Sequence, residues 1–147
     1  MLEQTLGRWI SQLHRYGRIF IARELEPYAI GQGQAPFLIA LYHKDGICQD
    51  ELAQLLKIDK GATARAISKL EQAGYVRRET SREDLRCNRI YLTARALELK
   101  PKLSEILQRW SDIISTGLTK EEMEQAFTLL EKMAHNACRY IEKMRNQ

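Results

Sequence analysis

The sequence predicts a mainly α-helical protein with one small β-hairpin, and three observations carry that expectation. Apolar residues recur at helical spacing through both ends of the 147-residue chain. Two short β-favouring runs, 75–78 and 89–92, flank the stretch 79–88, which is polar apart from Leu85 and Cys87. The breakers Pro27, Gly31, Gly33, Gly46, Gly74 and Gly117 separate segments of helix length and leave no long linker or internal repeat, so the chain reads as one unit.

The elements follow in order. Leu6, Trp9, Ile10, Leu13, Tyr16, Ile19 and Phe20 make the apolar stripe of a first helix within 3–25. A second helix is expected over about 34–42, ending near Gly46, and a third over 49–56. The short link Lys57-Ile58-Asp59 leads to a fourth helix, with Asp59 as its cap and Gly74 suited to the left-handed position past its end. The two β runs then form a hairpin with a long charged tip. Thr93 caps a fifth helix reaching about Thr116, with Leu99, Leu103, Ile106, Trp110 and Ile113 on one face and a bend expected at Pro101. After Gly117, the capping box Thr119-Lys120-Glu121-Glu122 opens a last helix to about Met144, striped by Met123, Phe127, Leu130, Ala134, Ala137 and Ile141.

Composition narrows the class. With 44% hydrophobic and 29% charged residues the chain can build a core and stay soluble. The amino terminus lacks the basic-then-apolar order of a secretory signal. The longest uncharged run, 27–43, holds two Pro, two Gly and two Gln, and is too short and polar for a membrane span of roughly 20 apolar residues. A cytoplasmic protein is expected. Cys48, Cys87 and Cys138 are widely spaced, without a Cys/His ligand cluster, so no metal is expected and reduced thiols are. Cys48, at a helix start where a thiolate is stabilised, and Cys87, in the wing, are the candidates for redox sensing, against the favoured reading of incidental buried cysteines. The histidines His14, His43 and His135 are scattered, and no phosphate-cradling loop or HExxH occurs; neither an enzyme nor a cofactor is indicated.

The formal net charge is +4, and its position matters more than its size. Residues 57–95 hold ten Lys or Arg against five Asp or Glu, whereas the rest of the chain holds 13 against 14. All the excess positive charge is therefore local, as on a phosphate-binding surface. Two helices joined by a tight turn and followed by a basic hairpin form a winged helix-turn-helix pattern over 34–98, flanked by helical regions 1–30 and 99–147. On the fourth helix Thr63, Ala66, Ile67 and Leu70 face inward, covered by Leu52, Leu55 and Ile58. Lys60, Gly61, Ala62, Ala64, Arg65, Ser68 and Lys69 face outward; small residues let a helix approach the major-groove floor, where Arg65 and Lys69 reach bases or phosphates. The hairpin carries Arg77, Arg78, Arg82, Arg86 and Arg89, suited to a narrow minor groove, and Asp84 is placed to brace Arg86.

The runs Asp50-Glu51-Leu52-Ala53, Ser68-Lys69-Leu70-Glu71-Gln72-Ala73-Gly74-Tyr75-Val76-Arg77-Arg78 and Asp84-Leu85-Arg86-Cys87-Asn88-Arg89-Ile90-Tyr91-Leu92-Thr93 resemble the MarR family of regulators, over about 35–99. Two positions depart from the family pattern: Ala96 stands where glycine is common, and Cys48 where a capping Thr or Ser is usual. The resemblance implies a homodimer on a palindromic operator of double-stranded DNA, acting as a repressor and nucleoid-associated when bound. It implies Arg86 as the minor-groove arginine with Asp84 as its brace, and Arg65, Ser68 and Lys69 facing the major groove. It also implies release by a small phenolic or lipophilic effector near His14, Tyr16 and Arg18. The family's peroxide-sensing branch uses a cysteine in the first helix, where this chain has none. Independently, the stripes bearing Trp9, Phe20, Trp110 and Phe127 exceed what one small subunit can bury, which argues for a dimer. The competing reading is a winged-helix interaction module whose basic wing docks an acidic partner.

Overall fold

The computed structural model describes residues 4–147. Its elements are α1 (Leu6–Leu25), a 3-10 turn (Glu26–Tyr28), α2 (Ala35–His43), β1 (Ile47–Cys48), α3 (Gln49–Leu56), α4 (Lys60–Gln72), β2 (Val76–Thr80), β3 (Asn88–Leu92), α5 (Ala94–Ile114) and α6 (Lys120–Arg145). They fall into two compact units, Met1–Trp110 and Ser111–Gln147. Among the described residues no helix is long and apolar enough to cross a membrane.

In the first unit the inward faces of α2, α3, α4 and α5 meet the sheet. Leu38, Leu41, Leu52, Ile67, Leu70, Ile90 and Ile106 are fully buried, with Phe37 and Tyr75 as the largest side chains of the core. Tyr75 keeps its hydroxyl satisfied by donating to the Tyr28 carbonyl. Between α4 and β2 the chain reverses at Gly74, whose φ of +85° places it in the left-handed region. Its amide donates to the Glu71 carbonyl at 3.0 Å, and Tyr75 donates to the Leu70 carbonyl at 2.9 Å, closing α4.

The hairpin is part of a three-stranded antiparallel sheet of order β1-β3-β2. Strand β1 has only two residues, too few to show an alternating pattern, which is why the sequence suggests a hairpin alone. It pairs Ile47 with Ile90 and Cys48 with Arg89. This pairing draws together two cysteines 39 positions apart: Cys48 and Cys87 form a disulfide with a Cα–Cα distance of 5.5 Å. The expectation of reduced thiols is corrected for that pair, while Cys138 is a free, exposed thiol.

Two packing expectations also change. Leu55 is 57% exposed, whereas Leu56 packs against the core, because the buried face of α3 is centred on Leu52, Ala53 and Leu56 and Leu55 turns away from it. Phe20 and Trp110, expected on surfaces needing a second subunit, stack on each other with ring centroids 5.4 Å apart. Gly17 permits this packing: a Cβ there would lie 3.0 Å from Trp110 Nε1. At the start of α5, Thr93 Oγ1 accepts from the Ala96 amide at 3.4 Å, and buried Ala96 sits in the helix rather than at a turn. Helix α5 continues on both sides of Pro101.

The second unit contains the end of α5, a turn at Gly117 and α6. The threonine half of the capping box is formed, with Thr119 Oγ1 accepting from the Glu122 amide at 3.1 Å. None of the 26 residues of α6 is buried.

Candidate nucleic-acid interface

Helix α4 begins where Asp59 Oδ1 accepts from the Ala62 amide at 2.7 Å. Thr63, polar yet fully buried, is satisfied by donating to the Asp59 carbonyl at 2.9 Å. Thr63, Ile67 and Leu70 form the inner face, with Ala66 half-buried beside them. Lys60, Gly61, Arg65 and Lys69 are exposed, and Ala62, Ala64 and Ser68 are half-buried, so the outer face is low in profile with long cations rising from it. The Arg65 side chain runs back over Gly61, where an added Cβ would lie 3.3 Å from its Nη1. Lys60 pairs with Asp50 across 3.6 Å of exposed surface, a contact of little energetic consequence.

Ser68 and Arg78 have a structural use that the sequence does not signal. Arg78 Nη2 donates to Ser68 Oγ at 2.9 Å and to the Ala64 carbonyl at 3.3 Å, and the Arg78 amide donates to Glu71 Oε2 at 3.2 Å. Strand β2 is thereby pinned to α4. Arg77 is likewise held, paired with Glu79 at 2.6 Å and lying 4.4 Å over the Tyr91 ring.

The wing tip, residues 81–87, is a closed loop. The Ser81 amide donates to the Cys87 carbonyl at 2.9 Å and the Cys87 amide to the Asp84 carbonyl at 3.0 Å. Ser81 Oγ accepts from the Glu83 and Asp84 amides, each at 3.3 Å. Asp84 contacts Arg86 through the backbone and not the guanidinium: its Oδ1 accepts from the Arg86 amide at 3.0 Å. The two-residue spacing suits an Asx turn, which leaves the guanidinium to project. Among the described residues the Arg82 and Arg86 guanidinium groups make no hydrogen bond or ion pair, and both side chains are exposed. Arg89 differs, for its Nη1 donates to the Gly46 carbonyl at 2.8 Å and ties the wing's base to the body.

A cavity of about 620 Å³ opens between α1 and α4. Leu13, His14, Gly17, Arg18 and Ile21 of α1 form one wall; Ala62, Arg65 and Lys69 of α4 form another; residues 31–37, Ile39 and Trp110 complete it. Its volume suits a small organic molecule. His14 and Arg18 reach it because they are one helical turn apart. Tyr16, two residues from each, points away and accepts a hydrogen bond from Gln12 Nε2 at 3.4 Å. Sequence reasoning missed Trp110 and Phe37 as lining residues: it assigns Trp110 to a stripe needing a second subunit and gives Phe37 no functional reading. It also missed that Arg65 and Lys69 belong to the cavity as well as to the outer face of α4.

A low-profile helix beside a hairpin with unpaired arginines at its tip is the DNA-reading unit of a winged helix-turn-helix regulator. Residues 32–88 match the MarR family. The HTH-type transcriptional regulator BilQ of Clostridium symbiosum (strain WAL-14163) is 31% identical over 132 residues, covering 90% of this chain and 92% of that one. A MarR transcriptional regulator from Methanosarcina mazei Go1 superposes with a TM-score of 0.88 at 42% identity, covering 92% of this chain and 90% of that one. The same fold, at 22% identity and a TM-score of 0.85, occurs in a MarR-family chain from Listeria monocytogenes solved in complex with 26mer DNA, covering 95% of each. The chain belongs to the MarR family and is a DNA-binding transcriptional regulator.

Proposed function

We propose that the protein acts as a homodimeric repressor of a palindromic operator, with α4 in the major groove and the wing tip in the flanking minor groove. The observation that carries this reading is the combination of a low-profile α4 face with two tip arginines that have no internal partner. Lys60, Ala62, Ala64, Arg65, Ser68 and Lys69 form the groove-facing surface of α4, with Ser68 acting partly by fixing Arg78. Arg82 and Arg86 enter the minor groove, Asp84 shapes the turn that presents Arg86, and Arg89 sets the wing's base. The exposed apolar residues of α1 and α6, among them Trp9, Phe127 and Leu130, support burial against a second copy. Two copies would then span half-sites about 34 Å apart, one turn of DNA.

The cavity receives the effector. Its apolar part, with Ile21, Phe37 and Trp110, suits a ring or short lipophilic group, and Arg18, Arg65, Lys69 and His14 suit an anionic or phenolic end. Because Arg65 and Lys69 serve both the cavity and the groove-facing surface, a ligand that engages them withdraws them from DNA.

Binding-site selection from random duplexes should return a palindrome. On that duplex Arg86→Ala should weaken binding at least about tenfold, with an unchanged sedimentation coefficient. Equal affinity of the two proteins in a gel-shift titration contradicts the assignment of Arg86. Wild-type affinity should also fall steeply with salt; a tight, salt-insensitive complex with an acidic protein in place of DNA favours the interaction-module reading.

A further inference from the structure

The disulfide has a position in the fold that suggests a use. Cys48 ends β1 and occupies the cap position of α3, where its side chain makes no capping hydrogen bond. Cys87 closes the wing tip, bonded through its amide and carbonyl to Asp84 and Ser81. The β1–β3 ladder stops at the pair Cys48–Arg89, so the S–S bond extends the join beyond the last ladder pair toward the tip. The covalent ring it closes contains α3, α4, β2 and the tip residues Arg82 and Arg86, that is, the groove-facing helix and the tip of the wing. Both cysteines are half-buried rather than enclosed in the core.

We propose that Cys48 and Cys87 form a redox-reversible tether that orders the wing tip and so raises the affinity of the protein for DNA. The inference rests on the reading of the wing as a minor-groove element. Oxidation by a low-molecular-weight disulfide proceeds by two exchanges. The thiolate of one cysteine attacks that reagent, forming a mixed disulfide and releasing one small thiol. The second cysteine then attacks the protein sulfur of the mixed disulfide, forming the Cys48–Cys87 bond and releasing a second small thiol. Two protein S–H bonds and one reagent S–S bond are lost, one protein S–S bond and two reagent S–H bonds are gained, and the protein is oxidised by two electrons. Two molecules of a small thiol reverse the sequence. With the tether closed, the tip meets DNA already ordered; with it open, residues 81–87 must be ordered on binding, which lowers affinity on the order of tenfold.

The test uses the full chain carrying Cys138→Ser, so that only the pair reports. The protein is poised in mixtures of oxidised and reduced glutathione, and free thiols, hydrogen exchange at 81–87 and affinity for its selected duplex are measured together. The thiol count should pass reversibly between zero and two per chain. The reduced form should exchange faster at 81–87 and bind DNA about tenfold more weakly. A further variant with Cys48→Ser and Cys87→Ser should behave as the reduced form at every poise. A bond that never opens in reduced glutathione overturns the inference, as does equal exchange at 81–87 in the two forms, or equal DNA affinity with the operator still selected. If neither form selects a duplex, the DNA-binding reading of the wing fails; the exchange difference then decides the tether separately.

Discussion

Tyr42 shows what single residues contribute here. Its hydroxyl donates to the Ala96 carbonyl at 2.5 Å, joining α2 to the first turn of α5. Burial, reinforced by the proximity of Tyr75, pushes its pKa up to about 12 from the usual 10.0. The folded protein therefore favours the neutral phenol, and the stabilisation is complete below pH 10 and is lost as the pH rises through 12. Unfolding measured between pH 9 and 12 should show wild-type stability falling more steeply than that of Tyr42→Phe, which lacks the titrating group. Parallel curves would contradict the upward shift that burial gives this hydroxyl. At this scale the sequence was only partly readable. Arg82 and Arg86 are legible as tip cations because neither has a partner within reach, but Ser68, Arg78 and Arg89 look equally available in the sequence and are engaged by neighbours distant along the chain. The same limit applies to the cysteines, since their proximity depends on a strand of two residues.

Elements with strong local signals were legible. The bounds of α3 are those its apolar spacing and flanking residues suggest, and α4 starts at the Asp59 cap and stops at Gly74 because both signals are local. Strand β1 and the choice between Leu55 and Leu56 depend instead on tertiary partners. Since the Asp59 cap sets the start of α4, Asp59→Ala should cost about 1 kcal/mol of stability. Asp59→Asn, which keeps an acceptor, should recover most of it in thermal unfolding. Equal melting temperatures for the alanine variant and wild type would show that Thr63 and the core hold the helix start alone.

For the whole molecule, the exposed side chains of α6 bear on assembly. Phe127 is 73% exposed and Leu130 53%, on a helix with no buried residue. A charge at either position should prevent that face from being covered. Phe127→Glu with Leu130→Glu should therefore shift the protein from dimer to monomer in sedimentation velocity, with retained helicity, and should weaken operator binding more than either half-site contact alone would suggest. A dimer that survives both substitutions would move the interface elsewhere. The stripe on α6 is readable from sequence because its period is helical; which surface covers it is not, because a stripe specifies burial and not a partner.

The cavity beside α4 carries one more consequence. Arg65 and Lys69 line it and also stand on the outer face of α4. If a ligand in that cavity lowers affinity for DNA by some factor, thermodynamic linkage requires DNA to lower affinity for the ligand by the same factor. The sensitivity of the regulator is then a joint property of protein and target. A strong operator raises the ligand concentration needed for release and a weak one lowers it, so one protein can answer the same signal at different thresholds at different sites.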